Sequence, residues 1–119
     1  MDSGAGQAAQ GQEWWVVCLC AQWCGVCREY RPTFEALARP GLRLAWVDVE
    51  DEEDIVGDLD VETFPTVLIG GGGRARFFGT VLPQPGVLTR LIDSLRETPD
   101  AAPADPDAQR LLESIMASR

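Results

Sequence analysis

The chain contains no histidine and no lysine, and all ten of its basic side chains are arginine. Without His there is no Ser/His or Cys/His catalytic pair and no imidazole metal ligand; without Lys there is no Schiff base and no P-loop lysine. Long apolar runs are missing as well, and none approaches the roughly 20 residues that a membrane-crossing helix needs. Basic clusters are also absent. With 19 Asp and Glu against ten Arg, the net charge is −9. That balance excludes the phosphate-contacting surface of a nucleic-acid binder and the basic face of a protein bound to an anionic membrane. The acids are unevenly spread: nine lie between Asp48 and Glu62 with no base among them, while the remaining residues hold ten acids and ten arginines.

A chain of 119 residues suits one domain with its own core. Met1 to Glu13 is small and polar, with neither a basic start nor an apolar stretch before Trp14, so a disordered leading segment and a cytoplasmic location are expected. In that reducing compartment four cysteines point to catalysis or metal binding more than to a disulfide framework.

Trp14 to Cys20 (WWVVCLC) is a continuous run rich in aromatic and β-branched types, the pattern of a strand buried on both faces. Cys24, Cys27, Tyr30, Phe34 and Leu37 then recur at helical spacing until Pro40-Gly41, with Pro32 expected to kink the helix. Leu42 to Val49 alternates as a second strand, and Glu52 to Leu59 forms a short helix whose first-turn acids oppose the positive end of its dipole. Thr66 to Ile69 and Ala75 to Phe78 are two strands joined through the tetraglycine Gly70 to Gly73. Val87, Leu88, Leu91, Ile92 and Leu95 mark a last helix, stopped by Thr98-Pro99. The order is β-α-β-α-β-β-α over residues 14–97. Residues 98–119 read as a Pro/Ala/Asp-rich linker and a short C-terminal helix over Ala108 to Ala117.

Chemistry concentrates in Trp23-Cys24-Gly25-Val26-Cys27, a C-x-x-C where a buried strand hands over to a helix. At a helix N-terminus, unpaired N–H groups and the macrodipole favour a thiolate at Cys24 without help from His or Lys. An offset of three brings Cys27 onto the same face one turn on, within reach of a disulfide. Gly25 leaves room for another chain's sulfur. Zinc binding through this pair alone is disfavoured, because no second C-x-x-C and no His follows.

With these residues placed, the stretch from Trp14 to about Arg96 resembles the thioredoxin family. The resemblance rests on Ala21-Gln22-Trp23-Cys24-Gly25-Val26-Cys27, Pro32 five residues beyond, the Val47-Asp48-Val49 strand end, and Thr63-Phe64-Pro65-Thr66 before an apolar strand. It implies an α/β fold with a central mixed sheet of about four strands flanked by helices. It also implies a cis Phe64-Pro65 bond facing the dithiol, and Gly79 lining the same groove. Trp23, Gly25, Val26, Phe64, Pro65 and Gly79 would form the docking surface, with Cys24 and Cys27 catalytic.

Four positions depart from the family pattern. Val26 stands where the family has a proline that tunes reduction potential, so an altered redox poise is expected. Cys18 takes the place of a buried acid that relays a proton to the second cysteine, and Trp46 that of its accompanying lysine. Proton removal from Cys27 would then fall to water or to a carboxylate of the acid run, or be slower than usual. Cys20 replaces a tryptophan. Cys18 and Cys20 lie two apart on one strand face, with Cβ atoms expected about 6.6 Å apart where a disulfide needs about 3.5–4.5 Å, so they should not bridge each other. They are expected to be small buried apolar residues, with two sharper readings beside that. In one, Cys18 or Cys20 traps Cys27 as an alternative disulfide; in the other, all four thiols hold Zn²⁺ or an iron–sulfur cluster.

The function these features imply is thiol–disulfide exchange with protein disulfides or dithiols. It needs no metal and no cofactor beyond the Cys24-Cys27 dithiol, and an external reductase or reductant recycles that dithiol. A four-cysteine metal-delivery protein and a redox-inert adaptor or chaperone are the alternatives. Too short a leader for the family's first strand and helix leaves the Leu42 to Val49 strand at an open edge. Such an edge invites pairing with a second copy or with the docked C-terminal segment.

Overall fold

The computed structural model describes residues 14–21, 23–38, 40–56, 64–84, 86–97 and 106–118; the leading segment, the linker at 98–105 and the acids Asp58, Asp60 and Glu62 lie outside them. Its elements in chain order are β1 (Trp14–Cys20), α1 (Gly25–Glu35), β2 (Leu42–Asp48), α2 (Glu53–Val56), β3 (Thr66–Gly71), β4 (Arg74–Thr80), α3 (Val87–Glu97) and α4 (Pro106–Ser118). The four strands form one mixed sheet in the order β2-β1-β3-β4. β1 and β2 run parallel with Trp14 opposite Leu42 and Cys18 opposite Trp46, a pairing that requires the α1 crossover between them. β3 and β4 are antiparallel additions.

β1 is central and all seven of its residues are buried, which explains its unbroken apolar sequence. Alternation sends Trp14, Val16, Cys18 and Cys20 to one face, packed with Cys27, Tyr30 and Phe34 of α1 and Leu88 and Ile92 of α3. Trp15, Val17 and Leu19 point to the other face, packed with Val56 of α2 and with Ala108, Leu111, Leu112 and Ile115 of α4. The result is a three-layer α/β/α domain. The spacing of those four α4 residues builds one apolar stripe. Burying Leu111, Leu112 and Ile115 is worth about 1.5–3 kcal/mol each. α4 is also pinned by Gln109, whose Nε2 donates to the Gly73 carbonyl (3.0 Å) while its Oε1 accepts from the Ala75 N–H (2.7 Å).

The tetraglycine is not the loop that its composition suggested. Gly70 and Gly71 belong to β3, and only Gly72 and Gly73 form the turn, both with positive φ (63° and 81°). A two-residue hairpin with two such residues matches the sheet's twist, and glycine takes that conformation without strain. Gly70 and Gly71 are small for a packing reason. A Cβ on Gly71 would sit 2.6–2.8 Å from the Trp14 ring, and one on Gly70 would sit 2.6 Å from a Leu112 methyl.

Candidate functional site

Where β1 ends, the chain turns through Ala21, whose carbonyl accepts from the Cys24 N–H (3.0 Å), and enters α1. Cys24 is the N-cap: its backbone is extended (φ −85°, ψ 114°), its carbonyl accepts from the Arg28 N–H (3.2 Å), and its sulfur makes no capping bond. Cys24 is therefore half-buried with a free thiol. Gly25 beside it would meet nothing within 4 Å if it bore a Cβ. α1 then runs through Pro32 to Glu35, although Pro32 removes the N–H that the Arg28 carbonyl would ordinarily accept from.

Trp23 is 66% exposed and Val26 45%. Trp23 meets Phe64 edge to face, with ring centroids 5.7 Å apart. The Phe64-Pro65 peptide is cis, and the buried Pro65 carbonyl accepts from the Val81 N–H (3.3 Å). Gly79 lies opposite Val67 in the β3–β4 ladder, where a Cβ would come 3.3 Å from the Phe77 ring. The Trp23–Phe64 contact thus joins the strand-to-helix turn to the proline segment and makes one exposed apolar rim beside Cys24.

The cysteine pairing is not Cys24 with Cys27 but the alternative in which Cys20 takes Cys27. A disulfide joins Cys20 to Cys27, with Cα atoms 5.9 Å apart, while Cys18 and Cys24 are free. The reason lies in the junction. Cys27, one turn into α1 and 1% exposed, looks back into the core, where Cys20 ends β1 on the same face and is equally buried. Cys24, at the cap, stays at the surface. Cys20 is therefore more than a small apolar residue. Cys18 Sγ lies 3.8 Å from Cys20 Sγ. Cys20 carries no proton in the disulfide, so the Cys18 thiol is the donor.

Burial pushes the Cys18 thiol up to about 12. Where the family has an acid, this chain holds a neutral group at ordinary pH. Tyr30 is also raised to about 12, first by burial and then by the nearness of Cys18. Trp46, opposite Cys18, packs against Phe34 with centroids 5.6 Å apart and lies 5.1 Å beneath the Arg31 guanidinium. Arg31 also bonds Glu35 through Nε at 3.1 Å.

Ala21, Cys27, Arg28, Arg31 and Trp46 line an open cleft of about 350 Å³. Cys27 is thus approached from a side that carries two guanidinium groups, whereas Cys24 borders the Trp23 and Phe64 rim. Sequence reasoning missed this cleft, although Arg28 and Arg31, three apart on a helix, share one face.

Part of the acid run has a local role. Asp48 Oδ1 accepts from the N–H groups of Glu50 (2.9 Å) and Asp51 (3.1 Å), closing the turn after β2. Glu53 and Asp54 occupy the first turn of α2 and are exposed. Among the described residues no three or more Cys, Asp or Glu side chains gather as metal ligands would, and the disulfide occupies two of the four sulfurs.

The family model described as thioredoxin matches residues 6–84. Sulfhydryl oxidase 1 of Cavia porcellus is 34% identical over 103 residues, which are 76% of this chain and 17% of that protein. The Homo sapiens sulfhydryl oxidase 1 is 32% identical over 115 residues, 86% of this chain and 15% of its own length. The chain thus spans under a fifth of these relatives. Among solved structures, the germline-specific thioredoxin Deadhead of Drosophila melanogaster superposes with a TM-score of 0.62 at 24% identity, over 79% of this chain and 90% of that one.

Proposed function

The chain belongs to the thioredoxin family, and on that premise we propose that it is a thiol–disulfide oxidoreductase acting on protein disulfides. The observation that carries this reading is the free, half-buried Cys24 thiol at the head of α1, beside the Trp23–Phe64 rim. From the fully reduced state, Cys24 thiolate attacks a substrate disulfide; one substrate sulfur leaves as thiolate and a mixed disulfide forms. Cys27 thiolate then attacks Cys24 Sγ, the substrate is released reduced, and an external reductant or reductase restores the dithiol. Run backwards, the same steps oxidise a substrate dithiol. The turn of helix between the two cysteines brings the second sulfur up behind the first. Trp23, Val26, Phe64 and Gly79 hold the partner's backbone against the cap, with the buried Pro65 setting the direction of Phe64.

The buried Cys18 thiol, standing where the family has an acid, distinguishes this site. The residues that line the cleft beside Cys27 are Ala21, Arg28, Arg31 and Trp46, none of them an acid, so the proton on Cys27 passes to solvent. A Cys27→Ser variant mixed with a disulfide-bonded peptide tests the reading. Cys24 should accumulate as a mixed disulfide that dithiothreitol releases. If no adduct forms on Cys24, the reading fails.

A further inference from the structure

The exchange reaction above leaves Cys20 without a role, yet Cys20 holds the disulfide. We propose that Cys20 is a third exchange cysteine: it takes Cys27 from an oxidised Cys24–Cys27 pair, so that the oxidised domain rests as the Cys20–Cys27 isomer and presents Cys24 as a free nucleophile. The inference rests on Cys24 being the attacking thiol. In the step, Cys20 thiolate forms a bond to Cys27 Sγ, the Cys24–Cys27 bond breaks, and its electron pair leaves on Cys24. The proton lost at Cys20 is balanced by one taken up at Cys24 through water. No electron enters or leaves, and both isomers are two electrons more oxidised than the dithiol form.

Cys20 and Cys27 are bonded in the core, and Cys24 packs against the same cluster. Cys27 is the shared member, three residues along the chain from Cys24 and joined to Cys20 across a Cα–Cα distance of 5.9 Å. Cys20 and Cys27 are each 1% exposed, so no protein partner reaches that bond directly. Cys24 opens instead toward Trp23 and Val26. Cys18 completes the arrangement. Its S–H lies 3.8 Å from Cys20 Sγ, where it also meets negative charge developing on Cys20 during exchange. Cys18 is free while its neighbour two residues on holds Cys27, so it is a donor and not a fourth exchanger.

The isomer changes what the domain does to a partner. Cys24 on the Cys20–Cys27 form attacks a partner disulfide and finds no resolving thiol behind it. The mixed disulfide then lasts until the partner's own liberated thiolate attacks one of the partner's other disulfide sulfurs and a further partner thiolate displaces Cys24. That rearranges protein disulfides with no net oxidation or reduction, an activity distinct from reduction by the dithiol form.

The test oxidises the full chain with ferricyanide, alkylates it with iodoacetamide without denaturant, then unfolds it and cleaves after Trp23. The expected result is about one carbamidomethyl group per chain, on Cys24, with the fragments on either side of Trp23 held together until reduction. An oxidised chain that takes up no iodoacetamide and carries Cys24 linked to Cys27 within one fragment overturns the inference. Oxidised Cys20→Ala should lose the uptake as Cys24 closes onto Cys27, and unchanged uptake also overturns it. The wild-type mapping holds whether or not that variant folds. Reduction of a disulfide-bonded peptide by the dithiol form separates the two readings: reduction without a Cys20 linkage defeats this inference alone, and the linkage without any exchange at Cys24 defeats the proposed function.

Discussion

Trp23 and Phe64 meet edge to face, their planes at 82°, so the residue before Cys24 touches the residue before Pro65. Contacts of this kind are worth about 0.5–1.5 kcal/mol, and Trp23 is largely exposed. Trp23→Ala is therefore expected to lower the stability of the domain by about 0.5–1.5 kcal/mol and, because it also strips the exposed rim beside Cys24, to lower kcat/KM for a protein disulfide roughly fivefold, a loss of about 1 kcal/mol. An unchanged kcat/KM would remove Trp23 from the docking surface.

Cys18 and Tyr30 make alkali a threat to the fold. Their ordinary values of 9.0 and 10.0 rise to about 12 in the folded chain. A raised folded value means that the folded state holds its proton more tightly, so the stability is fully present below the unfolded value. It is lost as pH climbs from about 9 through about 12. Urea midpoints should fall steadily across that window, and Cys18→Ala should make the fall shallower than in the parent chain. Equal slopes would show that the thiol does not take part.

A Cβ on Gly71 would sit 2.6–2.8 Å from three atoms of the rigid Trp14 ring, whereas one on Gly70 would sit 2.6 Å from a terminal methyl of the buried Leu112 and 3.2 Å from the Arg74 carbonyl oxygen. Overpacking of this sort costs typically about 1–3 kcal/mol. Gly71→Ala should lie towards the upper end of that range and Gly70→Ala below it. Denaturant unfolding of the two variants checks the ranking, and the reverse order would contradict it.

Gln109 ties α4 to the hairpin by donating to Gly73 and accepting from Ala75. Ala75 is fully buried, so Gln109→Ala strands its N–H and should cost about 1–3 kcal/mol. Gln109→Glu keeps the acceptor for Ala75 but replaces the donor to Gly73 and to Glu113 Oε2 (3.1 Å) with a repelling oxygen, so it should restore slow exchange at Ala75 without restoring full stability. Amide exchange at Ala75 reports the effect directly, as faster exchange in the alanine variant.

The frame of the fold was readable because β1 is apolar without a break and α1 and α3 carry helical spacing. The strand order followed from resemblance. Gly70 and Gly71 misled because the residues that demand their smallness, Leu112 and Trp14, are remote in sequence. α4 had a visible stripe, but its seat beneath Trp15, Val17 and Leu19 depends on which sheet face is left uncovered. At the site, the spacing of Cys24 and Cys27 was plain. Which sulfur Cys27 meets was left open, because it turns on how the end of β1 and the first turn of α1 face each other, and local spacing carries no information about that.

The Cys20–Cys27 bond closes a ring of eight residues, and a Cys24–Cys27 bond would close one of four. In the chain-entropy account these rings restrict the unfolded chain by about 2.5 and about 1.9 kcal/mol, a difference worth roughly threefold in population. An unfolded chain is thus nearly indifferent between the two rings. The choice belongs to the folded domain, and the ratio of the two rings, followed through a denaturant titration, becomes an internal gauge of how firmly β1 and α1 hold their junction.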